Sequence, residues 1–438
     1  MDGIKLYSLA ELDLSNTKTL DSEPVDFNNI FVKTIGYDAD NNPIYSSDLR
    51  HIDLSNTEFA SDATGNDFPV VINNCTKLKT VDISNSCVKS ISLPNASLTK
   101  LLINNSQVTQ IDLTDQPFLT DVDFTGCSKM TKVSVTNCAK MERLDLSNMS
   151  NLTSVEIIGC PSLREVIAPS CARLTNFSVS GAPELEEIDL SGCTNVNLSI
   201  SIATSSNLKK LNLTNTKTAK PVIFTAGFNS LTELNLSGSN INAFQFGSSV
   251  NNIATYNGEY VLDLSGFNLT DLVLTGNSLK YIKFKNSKTN PFAISDTTFD
   301  GCTNLTRVFG HIKLTSSSSF YGGGSLSNFT LHGRANDEVP TENDWYGPDT
   351  DVDSTGWDDN TNLQTNVTLA TSSLQWAFRE TACNMFDVYY ILWKAKNVTS
   401  LHGTFYECTK CVTNLTTPLR RDTFKHCGNV TNATYLFY

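Results

Sequence analysis

The chain has 438 residues, 39% of them hydrophobic, and a formal net charge of −13. An acidic balance of this size repels phosphate backbones and anionic lipid surfaces, which argues against nucleic-acid and membrane-surface partners. No run of about 18 apolar residues is present to insert in a bilayer, and the opening MDGIKLYSLAELDLSN reads without the apolar core or cleavage site of a secretory leader.

In chain order, the first leucine-rich unit is Leu9, Leu12 and Leu14, and the next is Leu49, Ile52 and Leu54. Residues 21–48 between them read as an insertion, with the acidic DSEPVDF and the turn-like DADNNP. A regular run begins at Leu78, Val81 and Ile83 and continues at a spacing of ten through Ile91, Leu101 and Ile111. From Val122 the spacing is eleven: Val122, Val133, Leu144, Val155, Val166, Phe177 and Ile188 form one register, with Phe124, Val135, Leu146, Ile157, Ala168, Val179 and Leu190 two residues on. Cys127, Cys138, Met149, Cys160, Cys171, Ala182 and Cys193 close each unit, giving L-x-x-L-x-L-x-x-C. The array loosens after Ile188 and returns at spacing ten between Leu262 and Phe284.

Each L-x-L reads as a short strand with alternate residues facing inward. A unit of ten or eleven residues holds one strand and one turn, so two units make a coil. Strands then stack at 20–22 residue intervals into two parallel sheets. One outer face is predicted to run Asp82, Leu102, Asp123, Asp145, Ile167, Asp189, and the other Ser92, Asp112, Ser134, Glu156, Ser178. The cysteine column faces the core, where a free thiol packs as a small hydrophobe. The twelve cysteines therefore say little about redox compartment.

The unit L-x-x-L-x-L-x-x-N/C, together with LTELNLSGSNI and LKKLNLTNT, resembles the leucine-rich repeat over residues 9 to 288. The alternation of ten- and eleven-residue halves resembles the irregular two-strand repeats of bacterial surface proteins. No helical segment stands on the convex side, so the expectation is a mainly β, β-helix-like rod. From about 290 a second motif appears at Phe299-x-x-Cys302, Phe405-x-x-Cys408 and Phe424-x-x-Cys427. NVTSLHGTFYEC (397–408) and NVTNATYLFY (429–438) resemble BspA-like leucine-rich repeats, and the second copy stops before its cysteine, as a fragment or a coil capped by another subunit does. The expected organisation is a solenoid over 1–288, an irregular segment with an acidic loop over 289–370, and a BspA-like segment over 371–438. Residues 371–395, free of Gly and Pro, predict a helix within an otherwise irregular C-terminal part.

Candidate sites fall where the repeat is broken. Leu102 and Ile167 are apolar positions on a polar strand face, and Arg143 stands beside them. Trp345, Tyr346 and Trp357 are aromatic anchors in the acidic loop. Asp349, Asp351 and Asp353, with Asp358, follow the 1, 3, 5 spacing of a calcium loop, but Ser354 replaces its glycine and Asn360 its terminal glutamate. A solvated acidic loop is the favoured reading, calcium the alternative, and no other cofactor is expected. None of the five histidines forms a metalloprotease motif, and no nucleophile elbow or phosphate loop is present. Asp123, Asp145 and Asp189 form a carboxylate column that admits glycoside chemistry, yet L-D-L-S is also the common way to write this repeat.

These features point to a non-enzymatic solenoid that recognises a protein or surface glycan. The resemblance implies adhesion at a bacterial cell surface or outside the cell, or host recognition as a phage virion component. A polysaccharide-acting enzyme and a purely structural spacer are the alternatives.

Overall fold

In the computed structural model the protein is a mainly β chain whose parallel sheets form a β-solenoid of about ten turns, with a short helix. The structure describes residues 6–17, 30–58, 69–94, 97–195, 197–203, 207–225, 230–246, 254–267, 269–285, 287, 289–295, 297–315, 320, 326, 328–331, 365–408 and 424–438. Two compact units are formed, Met1–Ser230 and Leu231–Tyr438.

In the first unit most predicted registers are the observed ones, but Ser92, expected in column with Asp112, pairs instead with Val71 in a separate two-stranded sheet, and Asp123 and Asp145 are not paired with each other. Val133 pairs in parallel with Ile111 on one side and Val155 on the other, and Leu144 pairs with Val166. One face is a sheet from Gln110–Thr114 through Lys132–Thr136, Ser154–Ile158, Asn176–Ser180 and Ser199–Ile202 to Val222–Phe224. The opposite face is divided. One sheet runs Glu11–Asp13, His51–Asp53, Thr80–Asp82, Lys100–Leu102 and Asp121–Asp123; another begins at Arg143–Asp145 and continues through Glu165–Ile167, Glu187–Asp189 and Lys210–Asn212. Within the stretch read as 21–48, Lys33–Tyr37 and Pro43–Ser46 form an antiparallel hairpin.

Alternation explains the core. Leu101, Val133, Leu144, Val155, Val166, Phe177 and Ile188 are all buried, as are Cys127, Cys138, Cys160, Cys171 and Cys193. The thiols have a specific task there. Cys127 Sγ donates to the carbonyl of Ile103 at 3.0 Å, and Cys138 Sγ to that of Leu113 at 2.9 Å, in each case one coil back. Thr216 does the same for Leu190 through its hydroxyl, at 2.8 Å. At these places a small side chain adds a hydrogen bond to a carbonyl that also accepts from the chain, as Ile103 does from the Ser106 amide at 3.0 Å, while Met149 and Ala182 fill the same column by packing alone. Along the outside, Thr131, Thr153 and Thr175 brace successive coils by donating from Oγ1 to the carbonyl 22 residues earlier.

In the second unit Glu233–Asn235 pairs in parallel with Asp271–Val273. The long strand Arg307–Leu314 meets Tyr281–Lys283 through its first half, and Phe292–Ile294 and Thr365–Leu369 through its second. Gly310, at φ +93°, is the bend between the halves. Phe299, Phe320, Phe378, Phe405 and Phe437 stack in sequence, with centroids 5.3 to 6.0 Å apart, as the core ladder of this unit. Arg307 lies over Phe309 and donates to the Tyr256 hydroxyl at 2.8 Å.

The helix expected over 371–395 is Met385–Lys394 alone. Asn384 caps it: its side chain accepts from the amides of Phe386 and Asp387, while the Asp387 carboxylate accepts from the Asn384 amide. Residues 371–384 instead form part of a coil. Ser373 bridges Ser400, which bridges Asn432, and Trp376 and Glu380 take positive φ. A helix cannot pass through those two positions.

Candidate binding surface

The predicted outer face is present, and its aspartates have a structural use. Asp13, Asp53, Asp82, Asp123, Asp145 and Asp189 each accept a hydrogen bond from the backbone amide two residues on, at 2.8 to 3.0 Å. Each carboxylate thus closes the turn that follows its own strand. The column that admits glycoside chemistry is accounted for by this local role, and Ile167 separates Asp145 from Asp189 in the ladder.

The same geometry explains Ile167. The residue two positions on is Pro169, which has no amide hydrogen to offer. An aspartate there would have no turn to close, which gives the apolar side chain at this place a local reason. Leu102 is different. It is half-buried, paired with Asp82 and Asp123, and lies on the wall of a cleft.

That cleft is where the divided face opens. The strand Asp121–Asp123 ends one sheet and Arg143–Asp145 begins the next, although Val122 and Leu144 hold equivalent places in successive coils. No ladder pairs the two strands, although their neighbours on either side are paired. The opening has a volume of about 610 Å³ and is lined among others by Lys100, Leu102, Asp121, Asp123, Asp145 and Met149. Val122 is half-buried there, whereas the other members of its register are fully covered. The coils rejoin past the following turn, where Asn151 Nδ2 donates to the Ser128 carbonyl at 2.7 Å.

Arg143 stands on the far wall. Its guanidinium bonds Asp145 at 2.8 Å and also Glu165. Hydrogen bonds to Asp145, then Glu165, raise its pKa. Burial pushes Asp145 upward, but the Ser147 hydroxyl and amide and the Arg143 guanidinium outweigh it, so the carboxyl is held below its ordinary range. Further along, Glu186 joins Arg164 at 2.9 Å and Lys209 at 2.8 Å. The charges past the cleft are thus mutually engaged. Within the cleft Lys100 lies 3.4 Å from Asp121.

The opposite face carries Asp112, Ser134, Glu156, Ser178 and Ser201 in register, with no interruption from Gln110–Thr114 to Ser199–Ile202. The second unit has a smaller cleft of about 520 Å³, lined by Leu264, Phe267, Phe284 and Phe292 among others, with Phe284 and Phe292 stacked at 4.3 Å. Trp345, Tyr346 and Trp357, and the calcium candidates Asp349, Asp351, Asp353 and Asp358, lie outside the described residues. Among the described residues no group of three or more His, Cys, Asp or Glu is arranged to hold a metal, and no helix is long and apolar enough to cross a membrane. Cys408 and Cys427 donate to the carbonyls of Phe378 and Leu392.

The fold and surface define a β-solenoid of leucine-rich coils with an open cleft on one strand face. No family model matches the chain, and no curated protein matches it. Among solved structures it is similar to the internalin InlF of Listeria monocytogenes, at 13% identity over 65% of this chain and 74% of that one, with a TM-score of 0.18. It is similar to the pneumococcal vaccine antigen PcpA at 16% identity over 74% and 90%, TM-score 0.19. TLR13, in its complex with ssRNA13, aligns at 14% identity over 96% and 67%, TM-score 0.19.

Proposed function

We propose that this chain is a non-enzymatic recognition protein that binds a protein partner at a cell surface through the cleft between Asp121–Asp123 and Arg143–Asp145. The observation that carries the reading is the break itself. The aspartates along the outer face beyond it each close a turn of the repeat. At the break the solenoid instead presents backbone, an apolar wall at Leu102 and Val122, and three aspartates together. Such a mixed, concave surface suits recognition, and Asp123 and Asp145 are engaged by their own turns, and Asp121 by Lys100, rather than poised for proton transfer.

The test is saturable binding of the fluorescently labelled chain to bacterial and epithelial cells. Leu102→Glu is expected to abolish binding, and Ser178→Arg on the uninterrupted face to leave it intact. Equal binding by both variants, or release of reducing sugar from cell-wall or capsular polysaccharide, overturns the reading.

A further inference from the structure

The walls of the cleft carry a definite pattern of backbone groups. In a parallel sheet, alternate residues of a strand address opposite neighbours. The Ile103 amide donates to the Asp123 carbonyl at 3.3 Å and the Asn105 amide to the Thr125 carbonyl at 2.8 Å, so residues 123 and 125 address the strand before them. Val122, Phe124 and Gly126 therefore address the cleft. On the far wall the Leu146 amide donates to the Ile167 carbonyl at 2.7 Å and the Asn148 amide to the Pro169 carbonyl at 3.1 Å. Arg143 and Asp145 therefore address the cleft from the other side. Among the described residues, no ladder joins these two strands.

Two strand edges thus face each other across an open space inside one solenoid. An unpaired edge is a template for another strand, and here there are two, on either side of the same gap. The edges also have side-chain preferences. The half-buried Val122 offers an apolar inner place, while Asp121, Asp123 and Asp145 line the outer rim against two cationic side chains, Lys100 beside Asp121 and Arg143 beside Asp145, which leaves one carboxylate in excess.

We infer that the cleft takes up an extended peptide segment of a partner protein, which adds as a strand between Asp121–Asp123 and Arg143–Asp145 and alternates apolar with basic side chains. Its backbone pairs with Val122 and Phe124 on one edge and with Arg143 and Asp145 on the other. Its apolar side chains cover Val122, and its basic side chains meet the three aspartates. This rests on the cleft being the recognition surface, and it names the chemistry of what is recognised.

The experiment uses the full chain, amide hydrogen exchange and a fluorescein-labelled hexapeptide of alternating valine and lysine. In the free protein the Val122, Phe124 and Asp145 amides are expected to exchange at least about 100-fold faster than those of Val133 and Val155 in the continuous sheet. The peptide slows them on binding. A peptide N-methylated at alternate residues, which cannot pair along one edge, binds at least about tenfold more weakly, and Asp121→Lys weakens the unmodified peptide by a similar factor. Protection of Val122 equal to that of Val133 in the free protein overturns the inference. So does equal binding of the N-methylated peptide, or no binding of either. Cell binding that depends on Leu102 without peptide binding defeats this inference alone; peptide binding with strand protection but no cell binding defeats the broader functional reading instead.

Discussion

The thiol of Cys138 donates a hydrogen bond to the carbonyl of Leu113, 2.9 Å away and one coil back. Other coils solve the same problem with other atoms. Asn277 Nδ2 reaches the Leu236 carbonyl at 3.2 Å, and Thr404 Oγ1 the Leu374 carbonyl at 2.9 Å. Cys138→Ala is therefore expected to cost about 1–3 kcal/mol, combining a small cavity with the lost thiol hydrogen bond. Cys138→Thr, which keeps a hydrogen to donate, is expected to recover most of that loss. Denaturant unfolding of the three proteins decides it, and equal losses for alanine and threonine would show that packing alone sets the column.

The described cysteines differ sharply in access. Cys87 is exposed, while Cys127, Cys138, Cys302 and Cys408 are buried. Burial pushes the Cys302 thiol up to about 11, and Cys138 is raised by its hydrogen bond with Cys160 and then by burial. A thiol reagent at pH 8 is expected to modify Cys87 within minutes and the buried thiols only in denaturant, since both access and thiolate are lacking. Peptide mapping by mass spectrometry reads the order of modification. Early labelling of Cys138 or Cys302 would contradict the column's inward orientation.

Gly310 bends the strand Arg307–Leu314 at φ +93°, and a Cβ there meets the Phe284 carbonyl oxygen at 2.2 Å. Gly258 has φ +80° but open space around it. Gly258→Ala is expected to cost about 1–2 kcal/mol from backbone strain alone. Gly310→Ala carries that strain plus a collision with rigid backbone, for a total above about 3 kcal/mol. Thermal unfolding of both variants separates the two contributions, and similar losses would refute the collision.

Asp145 and Glu186 have folded-state pKa values below their ordinary ones. For Glu186 the hydrogen bond and charge of Lys209 lead; burial opposes them, and the charge and hydrogen bond of Arg164 add to the lowering. A carboxylate lowered in the folded state contributes stability above its unfolded pKa and loses it as pH falls through the folded value. Stability is therefore expected to fall on acidification below about pH 4, and Glu186→Gln to flatten that limb. Urea midpoints measured between pH 3 and 7 test the sign. A midpoint that rises on acidification would contradict it.

Much of this architecture is legible in the chain. The registers Val133–Val155 and Leu144–Val166 follow from an eleven-residue period, because alternation fixes which side chains enter the core. The start of the helix was also written, as Asn384 with Asp387 three residues on, yet an apolar stretch free of Gly and Pro extends the expectation back to residue 371. Positive φ at Trp376 and Glu380 is what stops it. The departure from aspartate at Ile167 is legible too, since Pro169, two residues later, has no amide for an aspartate to serve.

The cleft is the part that no periodicity announces. Val122 and Leu144 are separated by the same interval as Val133 and Val155, and their flanking residues obey the same pattern. The chain by itself determined the inward face, the turns and the register of the strands that do pair, since these depend on side-chain order within a coil. Only the tertiary structure decided where along each face neighbouring strands pair and where they do not. Pairing depends on how whole coils stack, and a ladder forms only where two backbones approach to hydrogen-bonding distance.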